Sequence, residues 1–118
     1  MNYTDLMDTL FTEFPNLRGQ IDEEDIASGS YIVFMNYINP WVIELLNNER
    51  DNQQPLSEVF DFMERIATEG DKDSRNLLMT SILERLGDKP SILKKAERYM
   101  GPKTKCLSKA IEKFWGRR

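Results

Sequence analysis

Apolar side chains recur along this chain in steps of three and four, the spacing that lines them along one face of an α-helix. The first stripe is Tyr3, Leu6, Met7, Leu10, Phe11 and Phe14. Asn2 is placed to cap it, and Asp5 puts a carboxylate near its positive end. Pro15 disfavours a helical Phe14, so the helix is predicted to stop there. Residues 16–30 carry Gly19, Gly29 and the run Asp22-Glu23-Glu24-Asp25, and read as a connection.

A second stripe follows at Tyr31, Phe34, Met35, Ile38, Val42, Leu45 and Leu46, and its phase continues across Pro40. Proline lacks an amide hydrogen and crowds the carbonyl four residues back, so one kinked helix or two short ones are predicted, the unbroken phase favouring the kink. Tyr31-Ile32-Val33-Phe34 also has strand-like composition, but no partner strand with turn chemistry lies nearby. Phe34, Tyr37 and Trp41 give this segment the bulk to centre a core.

The polar residues 47–54 read as a loop. Pro55 then opens a third helix with Leu56, Val59, Phe60, Met63, Ile66 and Ala67 inward, ended by Gly70. Asp71 or Asp73 caps a fourth, with Met79, Ile82, Leu83 and Leu86 inward and Gly87 closing it. Pro90 opens a short fifth helix with Ile92, Leu93 and Ala96 inward. Pro102 opens a sixth, with Leu107, Ala110, Ile111, Phe114 and Trp115 inward and Gly116-Arg117-Arg118 as a frayed tail. Met79, Ile82, Leu83 and Leu86 are expected to meet Phe34, Phe62 and Phe114 in the core. The short connections make the third and fourth helices, and the fifth and sixth, antiparallel pairs. The expected fold is all-α: residues 1–118 as one irregular bundle of about five to six helices built from short hairpins.

Composition fits that picture, since 118 residues with 40% hydrophobic and 31% charged side chains make a globular mixture of one domain's size. No apolar run approaches the ~20 residues of a membrane span, and the first residues lack a signal pattern, so a cytoplasmic protein away from membranes is expected. Charge is distributed unevenly. Residues 1–86 hold 17 acidic against 6 basic side chains, whereas residues 87–118 hold 3 against 10. An acidic part of that size can steer a basic protein, and the basic part an acidic one. The two parts can equally satisfy one another within the fold.

Candidate chemistry is sparse. The chain has no histidine, the usual general base near neutral pH, and a single cysteine, Cys106, on a helix where it reads as a packing residue. Asp71-Lys72-Asp73 begins like a calcium loop, but Arg75, Asn76 and Ile82 stand where that loop needs an oxygen donor, a glycine and a bidentate glutamate. Glu44, Glu58, Glu64 and Glu84 lack the histidines of a bundle di-metal site. No metal, cofactor or catalytic site is therefore expected, and no enzyme. Lys94, Lys95, Arg98, Lys103, Lys105, Lys109, Lys113, Arg117 and Arg118, with Tyr99 and Trp115, invite a nucleic-acid reading. The overall pI of about 4.9 argues against it.

Residues 58–115 resemble a group of small bacterial α-helical domains of unknown function. Asn76-Leu77-Leu78, Ile82-Leu83-Glu84-Arg85-Leu86, Tyr99-Met100-Gly101-Pro102-Lys103-Thr104 and Trp115 carry the resemblance, and the helix ending at Phe14-Pro15 is similar too. Small acidic proteins of this kind resemble immunity proteins, which neutralise a toxin from a neighbouring cell. The resemblance thus implies a non-enzymatic binding protein, monomeric or homodimeric, that blocks a nuclease-type toxin domain by placing carboxylates in its phosphate cleft. Asp22, Glu23, Glu24 and Asp25, with Glu49 and Asp51, are the expected contact residues. The alternative is a helical interaction module, or a homodimer, with no toxin partner.

Overall fold

Eight helices, and no strand, run through residues 1–117, the part of the chain this computed structural model describes. A 3₁₀ turn, Tyr3–Asp5, leads into α1 (Leu6–Glu13), followed by α2 (Pro15–Arg18) and α3 (Glu23–Ala27). Helix α4 spans residues 30–47. It is α-helical over Ser30–Val33, π-helical over Phe34–Ile38 and α-helical again over Asn39–Asn47. After a 3₁₀ turn at Glu49–Asp51 comes α5 (Gln53–Glu69). Helix α6 spans residues 72–86 and has its own π-helical turn, Met79–Leu83. α7 (Pro90–Glu97) and α8 (Pro102–Phe114) complete the bundle.

The count exceeds the expected five to six because residues 16–30 fold instead of merely connecting. Pro15 breaks α1 but is itself the first residue of α2, where its missing N–H costs nothing. Asp22 precedes three carboxylates, Glu23, Glu24 and Asp25, in the first turn of α3, where the helix dipole favours them. Gly29 separates α3 from α4 with φ at 108°, a left-handed conformation that side chains with a Cβ rarely adopt. The strand-like residues Tyr31–Phe34 are helical; Val33 and Phe34 enter the core, whereas Ile32 is half-buried and Tyr31, expected on the inward stripe, is 39% exposed.

Neither a split nor a simple proline kink describes residues 30–47. The helix continues through Pro40, and the turn before it widens so that the Asn39 N–H reaches back to the Phe34 carbonyl. That extra residue relieves the crowding Pro40 imposes on the turn preceding it. The π-turn of α6 has a different cause. Thr80 and Ser81 hydroxyls donate to the carbonyls of Asn76 (2.8 Å) and Leu77 (2.5 Å), competing with backbone donors for those acceptors. The two π-turns pack against each other.

The core matches the apolar stripes over most of the chain. Leu6, Leu10, Val42, Leu46, Leu56, Ile66, Ile82, Leu83 and Leu86 are fully buried, with Phe34, Phe60 and Phe62 beside them and Met79 half-buried against them. Phe14 wedges edge-on between Trp41 and Phe62, with ring centroids 5.7 and 5.8 Å away. Helices α5 and α6 pack as the expected hairpin. By contrast, α7 packs mainly on α4, and α8 on α5 and α6, so the expected α7–α8 pair opens into a groove of about 420 Å³.

Helix α8 corrects the sequence reading most sharply. Phe114 is 77% exposed and Trp115 55%, and Ala110 also faces solvent. The inward face is Thr104, Ser108, Ile111 and Glu112, three of them polar. Each terminus of the helix is fixed by a carboxylate. At the start, Glu64 of α5 accepts the Lys103 N–H (3.1 Å), the Thr104 N–H (2.9 Å) and the Thr104 hydroxyl (2.8 Å). Gly101 makes this possible, because a Cβ there would lie 2.5 Å from the Glu64 carboxyl carbon. At the end, buried Glu112 accepts from Arg117 (2.6 Å), which also donates to Asp88 (2.9 Å) and to the Glu84 carbonyl (3.0 Å). Arg117 is therefore clamped rather than frayed; Arg118 lies outside the described residues.

Candidate functional site

The acidic residues expected to meet a partner fall into two separate groups. Asp22, Glu23 and Glu24 are exposed at the start of α3, while Asp25 is half-buried and accepts the Tyr37 hydroxyl of α4. That bond raises the Tyr37 phenol's pKa, since a neighbouring carboxylate disfavours phenolate. Glu49 and Asp51 sit past the other end of α4, whose last residue, Asn47, is ten positions beyond Tyr37. At about 1.5 Å per residue this is about 15 Å along the axis. No hydrogen bond or ion pair links the two groups among the described residues.

Several of these carboxylates already have partners within the fold. Glu23 lies 3.3 Å from Arg18, and Glu49, with its side chain 19% exposed, lies 2.8 Å from Arg98. Burial and the Glu49 carboxylate together raise the Tyr99 pKa. Glu49 thus fastens the turn after α4 to the end of α7, acid to base across the two halves of the chain. Asp22, Glu24 and Asp51 remain solvent-facing and form no ion pair among the described residues.

A second feature was not legible in the sequence. Between α4, the end of α6 and the start of α7 lies a cleft of about 220 Å³, lined by Asn39, Ile43, Arg85, Asp88, Lys89 and Ile92. Asn39 and Arg85 each follow a π-turn, so the two widened turns set where both side chains sit. Asn39 is 5% exposed, and its side-chain amide makes no hydrogen bond to any described residue. Arg85 reaches only the Met35 sulfur, at 3.8 Å, and neither Arg85 nor Lys89 joins an ion pair among the described residues. Asp88 is held by Arg117. A shallower recess of about 240 Å³ continues from Arg85 and Asp88 to Trp115, whose indole N–H donates to Glu84 and whose ring stands edge-on to Phe114 at 5.2 Å.

Among the described residues no group of histidine, cysteine, aspartate and glutamate is arranged to hold a metal ion. Asp71 caps α6 through the Ser74 N–H (2.9 Å) and also accepts the Tyr3 N–H (3.1 Å). Donation from Ser74 and from the Tyr3 N–H lowers its carboxyl pKa, so its role is the capping one. Cys106 is exposed rather than packed, which corrects its sequence reading. No helix among the described residues is long and apolar enough to cross a membrane.

The fold and these surfaces define a small all-helical domain with exposed carboxylates at the start of α3, a separate cleft flanked by Arg85 and Lys89, and exposed aromatics. Residues 7–116 match the family described as Domain of unknown function (DUF7674), and the chain belongs to that family. No match was found among curated proteins or solved structures.

Proposed function

We propose that this chain is a non-enzymatic binding protein and, more narrowly, an immunity-type protein that blocks a basic, nuclease-type toxin domain. The observation that supports this reading is the first turn of α3, where Asp22, Glu23 and Glu24 present exposed carboxylates on a helix end. Carboxylates on a rigid helix mimic the spacing of backbone phosphates loosely but carry the same sign, and complementary charge accelerates encounter. The lack of any histidine points the same way, because acid–base chemistry near neutral pH has few other agents here.

The test is the Glu23→Lys/Glu24→Lys double variant against a basic nuclease-type toxin domain that the wild-type chain binds. Thermal stability is expected to change little, since both side chains are exposed. Association should slow at low salt, and the difference should shrink as salt rises, with screening over ~8 Å at physiological ionic strength. Equal association rates at low salt would exclude α3 from the interface. A partner bound only through the lysines of α7 and α8 would favour the module without a toxin target, one that takes an acidic protein.

A further inference from the structure

We propose that the cleft between α4, α6 and α7 is a binding site for a small carboxylate with a short aliphatic body. This inference does not rest on the toxin-blocking reading. Three observations converge on it. The amide nitrogen of Asn39 is buried at the cleft with no partner among the described residues, and such a group costs stability unless something bonds it. Arg85 and Lys89 flank the same space without carboxylate partners among the described residues. Helix α7 begins at Lys89-Pro90 with no side chain capping its first N–H groups, so its positive end also lies at the cleft.

The lining decides what kind of anion fits. Ile43 and Ile92 supply apolar wall, which suits a hydrocarbon body better than a bare inorganic ion. Asp88 would oppose an anion, but it faces Arg117 at 2.9 Å, a guanidinium it shares with Glu112, and the two cations of the lining, Arg85 and Lys89, outnumber it. The volume is below the ~300 Å³ at which drug-sized pockets start, so the site takes either a small free acid or one acidic side chain of a larger partner. Both present the same carboxylate to Arg85, Lys89 and Asn39.

Nuclear magnetic resonance titration of the full chain tests the site. The probes are isovalerate, a capped alanine peptide with one central glutamate, inorganic phosphate, and chloride at matched ionic strength. Isovalerate or the glutamate peptide should shift the Asn39 side-chain amide and the Arg85 and Lys89 signals saturably. Arg85→Gln should weaken that binding about tenfold, the loss of one charge-assisted hydrogen bond. Saturation by isovalerate marks a free acid as ligand. Saturation by the peptide alone, with movement of the Trp115 ring in the adjoining recess, marks a partner's side chain. Asn39→Leu separates binding from folding: it should abolish the shifts at Arg85 and Lys89 while raising the melting temperature. Shifts that stay linear and equal to those with chloride would overturn the proposal. So would saturation by phosphate alone, or unchanged affinity in Arg85→Gln.

Discussion

Leu83→Ala should destabilise the protein by about 2–5 kcal/mol, read from chemical denaturation at constant m-value. Leu83 is fully buried in the π-turn of α6, against the π-turn of α4 and beneath α8. Truncation there removes hydrocarbon from the point where three helices meet. Close packing from all sides hinders collapse of the surroundings onto the vacancy, which places the cost toward the upper part of that range. A loss below about 0.5 kcal/mol, typical of surface changes, would mean that the stripe does not pack inward.

Removing the carboxylate at Glu64 should cost about 2 kcal/mol at neutral pH, because one side chain caps the start of α8 through three hydrogen bonds. Burial alone would raise the Glu64 pKa, but the Thr104 N–H and hydroxyl, with the Lys103 N–H, outweigh it and hold it below the ordinary value of 4.5. The sign follows from that depression. The folded state binds a proton at Glu64 less readily than the unfolded chain does, so the contribution is complete above the ordinary value and fades as pH falls through the lowered one. Wild type and Glu64→Gln should therefore differ in stability at pH 7 and converge in acid. A difference independent of pH would exclude the charged cap. Gly101→Ala should cause a related loss without touching the carboxylate, since its Cβ would push Glu64 off the helix end.

Helix type and most of the core were readable in the sequence because α5 and α6 keep an apolar face whose spacing is unmistakable. Leu56, Val59, Phe60, Met63, Ile66 and Ala67 are all buried as the stripe predicts. Helix α8 misled for the opposite reason. Its inner face is closed by Thr104, Ser108 and Glu112; Thr104 bonds Glu64 from another part of the chain, and Glu112 bonds Arg117 from beyond the helix end. Periodicity in hydrophobicity cannot register a polar stripe. The short helices α2 and α3 were hidden by Gly19 and Gly29, which punctuate them so closely that four or five residues look like loop.

The acidic run was legible as charge but not as geometry. Only the fold shows that Glu49 is tied to Arg98, and that Asp25 is spent on Tyr37. The cleft at Asn39 had no sequence signature at all. Asn39 falls between apolar positions of a helical stripe and Arg85 within another, and nothing in either spacing brings the two side chains to one cleft.

The paired π-turns also constrain how this chain can change in length. One residue in a helix corresponds to about 100° of rotation. Deleting one residue within Phe34–Ile38 would let that turn close to ordinary α geometry with the phase beyond it kept, but an inserted residue meets a turn that is already widened, and everything after it would swing round by that angle. Val42 and Leu46 would then leave the core and Asn39 would leave the cleft. Because the turn at Met79–Leu83 packs directly on it, the spacing along α4 answers to α6 across the interface as much as to its own backbone. Single-residue insertions are consequently intolerable at these two places, while the exposed residues Arg50, Asp51, Gln53 and Gln54 have room for them.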